Sequence, residues 1–239
     1  LPGEDIIYFG DTARIPYGTR SKETVVKYVI ESFNFLMKKN IKAIVIACNT
    51  ASALAMEEAR EKFDIPIIGV IEPGAKAAIS STKNNTIGII GTEGTINSNS
   101  YQKYIRKQLP TAEIIGVACP LFVQIVEEGW ENSDVAYLAA QKYLLELKEH
   151  NIDSLVLGCT HYPALRYTIG KVMGEKVKLI NPAYETAKLT KNILKEQGLL
   201  NEKIDGGICK YYVSDDPEKF KRIGGNLIRR QIQSVEKID

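Results

Sequence analysis

Several residue types are scarce in this chain, and each scarcity removes a class of function. There are four cysteines (Cys48, Cys119, Cys159 and Cys209) without a C-x-x-C pair among them, two histidines (His150 and His161) and one tryptophan. Four dispersed thiols in 239 residues do not staple a fold, and they fit free cysteines in a reducing cytoplasm. The Cys and His residues lack zinc-type spacing, so no metal is expected. Neither sign of charge dominates: 31 basic and 29 acidic residues are spread along the length, with no basic block to follow a phosphate backbone. Nucleic acid is therefore not an expected partner. Each aliphatic run is broken by charge or glycine within about nine residues, short of the ~20 that cross a bilayer. The chain opens Leu1-Pro2-Gly3-Glu4-Asp5, with neither Met nor a signal-peptide pattern.

What remains is a composition of 44% hydrophobic and 25% charged residues, enough for a substantial core and for two compact units. Strand-length aliphatic runs at 6–9, 43–47, 67–70, 86–90, 113–117, 154–157, 177–180 and 208–213 alternate with helical periodicities, the pattern of βαβ units in a parallel sheet. Ser21 is the expected cap of a helix whose stripe holds Val25, Val29, Phe33 and Leu36. Asn97 or Ser98 is expected to open a helix through Tyr101 and Ile105, Asp134 one through Leu138 and Leu145, and Asp215 one through Phe220, Ile223 and Leu227. Glu72-Pro73-Gly74 and Asn181-Pro182 interrupt the pattern and serve as the expected boundaries. The expected fold is α/β, with two pseudo-symmetric three-layer αβα domains, mainly parallel sheets and a site in the cleft between them. One domain takes 1–73 plus 184–239, and the other takes 74–183.

The most informative feature is a repeat. Ile41-Lys42-Ala43-Ile44-Val45-Ile46-Ala47-Cys48 and Ile152-Asp153-Ser154-Leu155-Val156-Leu157-Gly158-Cys159 share a start, an aliphatic run and a terminal cysteine at constant offset. The first continues Asn49-Thr50-Ala51-Ser52 and the second Thr160-His161-Tyr162-Pro163, each leading into a helix-favouring stretch. Strand, cysteine, polar turn, helix is the order both times. The carboxyl ends of strands are where open α/β sheets place ligands, and a helix N-terminus offers N–H donors that bind carboxylates and lower a thiol pKa. Asn49, Thr50 and Thr160 add side-chain donors. A small acidic ligand between Cys48 and Cys159 is expected.

His161, two residues past Cys159, is a candidate proton partner for that thiol, whereas His150 reads as a surface residue at a helix end. Cys119 and Cys209 read as ordinary packing residues. The loop 10–18 cannot continue as helix or strand through Pro16 and Gly18, and a loop after a strand is a place for binding residues. The segment 91–96 contains glycine and threonine but lacks the G-x-G-x-x-G and Walker spacings, so nucleotide binding is not expected.

Ala-Cys-Asn-Thr-Ala-Ser (47–52), Gly-Cys-Thr-His-Tyr-Pro (158–163), Gly-Asp-Thr-Ala-Arg-Ile-Pro-Tyr-Gly (10–18), Gly-Val-Ile-Glu-Pro-Gly (69–74) and Cys-Pro-Leu-Phe-Val (119–123) together resemble the bacterial glutamate racemases over nearly the whole chain. The resemblance implies interconversion of L- and D-glutamate without a cofactor, supplying D-glutamate for peptidoglycan. It implies Cys48 acting on D-glutamate and Cys159 on L-glutamate, with Asn49, Thr50, Thr160 and His161 lining the site. The backbone at Tyr17-Gly18 would hold a carboxylate, Thr92 or Thr95 would help, and the protein would be a homodimer. In that family a strand ending in Asp-Ser-Gly-x-Gly-Gly comes first, so a natural chain about 20 residues longer is expected, a strand plus a helix. Gln124 and Asn181-Pro182 depart from the family pattern. Three other readings remain open: an aspartate racemase, a hydrolase using Cys159 and His161, and a binding protein without chemistry.

Overall fold

The computed structural model describes residues 1–201, 203, 206–228 and 230–238. Among the described residues nine strands are formed: β1 (Ile6–Gly10), β2 (Ile44–Ile46), β3 (Ile67–Gly69), β4 (Thr86–Gly91), β5 (Glu113–Ala118), β6 (Ser154–Gly158), β7 (Lys178–Ile180), β8 (Cys209–Val213) and β9 (Glu236–Lys237). Every pairing among them is parallel. They make three sheets, ordered β5-β4-β6-β7, β2-β3 and β1-β8-β9. The helices are α1 (Lys22–Met37), α2 (Asn49–Lys62), α3 (Ile71–Ser81), α4 (Glu93–Asn97), α5 (Ser100–Gln108), α6 (Leu121–Glu127), α7 (Asp134–Glu149), α8 (Arg166–Met173), α9 (Pro182–Glu196) and α10 (Pro217–Ile228). The protein is α/β with parallel sheets, as the alternation of patterns predicts.

The four-stranded sheet is buried on both faces, so its central strands carry continuous rather than alternating aliphatics. All five residues of β6 are buried, as are the last five of β4. One face meets Phe122, Ile125, Leu144, Leu147, Ile169 and Val172 from α6, α7 and α8. The other meets Ile71, Ala75, Ala78, Tyr101 and Ile105 from α3 and α5. Around β2-β3, α1 and α2 cover Ile44, Ile46 and Ile67 with Val25, Val29, Phe33, Ala55 and Ala59. Val45, alternating with them, stays exposed. Among the described residues β1-β8-β9 shares no strand pairing with β2-β3.

Several elements differ from expectation for identifiable reasons. Ser21 does cap α1, accepting from the Thr24 N–H. The α5 helix starts at Ser100, later than Asn97 or Ser98, because Thr92 opens the separate short helix α4 and Asn99 turns left-handed (φ 54°) before the chain restarts. Glu72-Pro73-Gly74 does not break the pattern but sits in the first turn of α3, where a proline loses no helical hydrogen bond. Asn181-Pro182 likewise begins α9, with the Asn181 side chain accepting from the Ala183 N–H. In α7 the buried stripe is Ala136, Ala140, Leu144 and Leu147, while Leu138 and Leu145 are exposed. The helix is rotated relative to the stripe chosen from the largest side chains. Cys119 is buried as expected, whereas Cys209 is exposed at the first position of β8. No helix among the described residues is long and apolar enough to cross a membrane.

Candidate active site

Both cysteines of the repeat stand at the carboxyl end of a parallel strand. Cys48 follows β2 by one residue and occupies the cap position of α2 in an extended conformation. Cys159 directly follows β6, and a short turn of 3-10 helix, Tyr162–Leu165, leads from it into α8. Cys159 is buried and Cys48 half-buried. The two are near enough that the charge of a Cys48 thiolate raises the Cys159 pKa.

Each sulfur has its own set of donors. The Ala51 and Thr50 N–H groups and the Thr50 hydroxyl favour a Cys48 thiolate. The His161 and Tyr162 N–H groups and the Thr160 hydroxyl do the same for Cys159. Yet both thiols titrate above the ordinary value, the opposite of the expected lowering. Burial dominates: it pushes Cys48 up and carries Cys159 to about 12. Removal of water from a small anion outweighs a few fixed dipoles when no cation is adjacent.

Around the thiols the other expected residues gather. Thr50 of α2 meets Thr92 at 2.8 Å and Thr95 at 3.3 Å, and the latter two are 3.1 Å apart, so three hydroxyls from two distant parts of the chain touch. Gly18 lies against this cluster: a Cβ there would stand 2.5 Å from the Thr92 Cβ. The loop thereby brings the Tyr17-Gly18 backbone next to Thr92 and Gly94. Tyr17 donates its hydroxyl hydrogen to Asp11, whose carboxylate also accepts from Arg14 Nε at 2.8 Å and Ser214 Oγ at 2.9 Å. Burial, then the hydrogen bond to Asp11, raises the Tyr17 phenol pKa. Asn49 is 4% exposed and Thr160 is exposed.

His161 is the centre of a further chain of contacts. Its Nδ1 lies 3.8 Å from Cys159 Sγ and 3.5 Å from Thr160 Oγ1. Its Nε2 lies 3.5 Å from Glu127 Oε1, and Lys219 Nζ of α10 is 3.7 Å from Glu127 Oε2. The hydrogen bond from His161 is the main reason the Glu127 carboxyl ionises below its usual range. Glu127 lies outside every motif singled out in the sequence, because its partners, His161 after β6 and Lys219 of α10, come from distant parts of the chain. Asp11 lies within the 10–18 loop, with Tyr17 and Arg14 as local partners and Ser214 as a distant one. His150 sits on the surface at the end of α7, 2.9 Å from Glu113.

The arrangement has two thiols at the carboxyl ends of separate strands, each with its own hydroxyl and N–H donors, and no group of three or more His, Cys, Asp or Glu side chains, among the described residues, able to hold a metal ion. The family model for Asp/Glu/Hydantoin racemase matches residues 1–190. The chain is 48% identical over 238 residues to a glutamate racemase of Geobacter metallireducens, spanning all of this chain and 88% of that protein. It is 44% identical over 239 residues to one of Neisseria meningitidis serogroup A, with the same coverage. Among solved structures, glutamate racemase isoform RacE1 from Bacillus anthracis superposes with a TM-score of 0.96 at 40% identity, over 100% of this chain and 89% of that one. The Francisella tularensis glutamate racemase in complex with D-glutamate does so at 0.92 and 41%, with the same coverage. Twin strand-end cysteines, their donors and these full-length matches converge: the chain belongs to the Asp/Glu/hydantoin racemase family.

Proposed function

We propose that this protein interconverts L- and D-glutamate by proton transfer at Cα between Cys48 and Cys159. The observation that carries the reading is the pair itself, two thiols on separate strand ends, Cys48 near enough that its charge acts on Cys159, and each met by its own N–H and hydroxyl donors. The substrate follows from the similarity to glutamate racemases, one of them solved with D-glutamate.

In one direction the Cys48 thiolate takes the Cα proton of D-glutamate while the Cys159 thiol delivers a proton to the opposite face, giving L-glutamate. The reverse uses Cys159 as base and Cys48 as acid. Mutual repulsion opposes two thiolates in one site, so the productive form is one thiolate with one thiol. That form has one base and one acid, and each turnover exchanges the two roles. A Cα–H is far less acidic than a thiol, and the fixed donors Thr50 and Thr160 serve to stabilise the developing carbanion, with Asn49, Thr92 and Thr95 beside them. Removing one such donor typically costs ~10²–10³ in rate. The Tyr17-Gly18 backbone holds a carboxylate of the substrate. His161 acts as the proton partner of Cys159, and Glu127 keeps its ring in place. No cofactor is needed in this scheme. We place the enzyme in the cytoplasm as a homodimer that supplies D-glutamate for peptidoglycan.

Incubation with L-glutamate in deuterium oxide tests the reading. Racemisation puts solvent deuterium at Cα of the D-glutamate formed; recovery of L-glutamate with its Cα–H intact overturns it in favour of a hydrolase or a binding protein. A parallel incubation with L-aspartate, expected to be slow, separates the aspartate alternative.

A further inference from the structure

Tyr101 of α5 is outside both cysteine motifs, yet it touches the neighbour of each catalytic thiol. Its hydroxyl donates to Asn49 Oδ1 at 2.7 Å, and Asn49 follows Cys48. Its ring edge lies 3.4 Å from where a Cβ would stand on Gly158, which precedes Cys159. A Cβ at Gly74 of α3 would come within 3.0 Å of the Tyr101 hydroxyl, so the absence of a side chain there makes room for the hydroxyl end of the ring. Tyr101 is 1% exposed within the core around α3 and α5, which leaves it no freedom to turn.

The hydrogen bond also fixes the sense of the Asn49 amide. If the amide were reversed, its NH₂ would donate to the phenol oxygen and the phenol's own hydrogen would have no acceptor among the described residues, a costly state for a buried group. With Oδ1 held by Tyr101, Asn49 Nδ2 has no protein acceptor among the described residues, yet it is not sealed from solvent. An amide with its carbonyl tied back and its NH₂ free is a donor prepared for an anion. The reversed amide would present a carbonyl oxygen to that anion instead. Burial and the nearby Cys159 raise the Tyr101 phenol pKa, so it remains a neutral donor.

We propose that Tyr101 is a positioning residue of the racemase site, holding the Asn49 amide with its NH₂ toward a substrate carboxylate and setting the two cysteine-bearing segments against one ring. This rests on the glutamate reading above, and deepens it by naming the residue that orients the Asn49 amide.

The test is a double-mutant cycle on KM and kcat in both directions. Tyr101→Phe keeps the ring and frees the amide to rotate; KM for glutamate is expected to rise about tenfold with kcat within threefold. In an Asn49→Ala background, where no amide remains to orient, the same substitution is expected to leave KM unchanged. Asn49→Asp keeps an acceptor for Tyr101 but replaces the donor with an anion, and its KM is expected to rise at least as far as that of Tyr101→Phe. This variant leaves the buried ring untouched, so it reports even where Tyr101→Phe folds poorly. Unchanged KM in Tyr101→Phe, full additivity with Asn49→Ala, or normal KM in Asn49→Asp each overturns the proposal. Absence of glutamate racemisation by the unaltered protein strikes the underlying reading instead, so the two failures are distinguishable.

Discussion

At the scale of single residues, the chemistry divides into what neighbours in sequence reveal and what only the fold brings together. Cys48, Asn49 and Thr50, like Cys159, Thr160 and His161, are contiguous and repeated, so their joint role is legible from the chain. Asp11 with Ser214, 203 residues apart, and Asn49 with Tyr101, 52 apart, are not, because no local periodicity encodes a contact between distant segments. The thiol pKa values were misread for the same reason: the helix-terminal donors are local and visible, while burial is a property of everything packed around them. Two predictions belong here. Cys48→Ser and Cys159→Ser each lower kcat by about 10²–10⁴-fold, the usual worth of a positioned acid or base, with unchanged circular dichroism. Because the two enantiomers have equal free energy, kcat/KM must fall equally in both directions, and comparable activity in either variant contradicts the two-thiol scheme. Glu127→Gln removes the carboxylate 3.5 Å from His161 Nε2; loss of a charge-assisted hydrogen bond of about 1.5–3 kcal/mol lowers turnover roughly 10- to 100-fold. The effect should be felt most in the step that uses Cys159, so the primary isotope effect with Cα-deuterated L-glutamate is expected to grow relative to that with the D-enantiomer. Equal isotope effects would argue that His161 serves both thiols alike.

At the scale of elements, glycine shows how tightly the site is built. Gly158 closes β6, and a Cβ there would stand 2.6 Å from the carbonyl oxygen of Ile90 on β4, a backbone atom that cannot swing aside. Gly158→Ala is expected to cost about 1–3 kcal/mol, the range for overpacked cores, and to displace Cys159 so that activity falls with stability. Gly170, in the middle of α8, is the contrasting case: its nearest contact for an added Cβ is 3.7 Å, ordinary van der Waals distance. Gly170→Ala therefore stabilises by about 0.5–1 kcal/mol through helix propensity. Denaturant midpoints of the two variants should move in opposite directions. Strands were the most legible elements, since fully buried parallel strands read as uninterrupted aliphatic runs. Helix faces were less so. In α7 the larger side chains Leu138 and Leu145 drew the stripe to the wrong side, because alanines at 136 and 140 let the helix approach the sheet closely enough to be buried themselves.

At the scale of the molecule, strand order was beyond the sequence, since β5-β4-β6-β7 depends on crossovers that periodicity does not specify. What the assembled sheet does to the thiols has a measurable consequence for the whole fold. Cys159, raised to about 12 by burial, and Cys48, raised in the same sense, remain protonated in the folded protein at pH values where unfolded thiols have ionised. Between the ordinary thiol value near 8.5 and the folded value, the native state thus holds more protons than the unfolded chain. The sign follows: the stabilisation is fully present below about pH 8.5 and is lost as pH rises toward 12, with a slope approaching about 1.4 kcal/mol per pH unit for each such thiol. Tyr101 and Tyr162, whose phenols are also raised by burial, add the same sign only above about pH 10. The interval from pH 8.5 to 10 therefore belongs mainly to cysteine, including the buried Cys119. Thermal midpoints measured across that interval should fall with pH, and Cys159→Ser, which cannot ionise, should flatten the decline. A decline that is equally steep without this thiol would mean that Cys159 ionises at an ordinary pH in the folded protein, and that burial does not govern its proton.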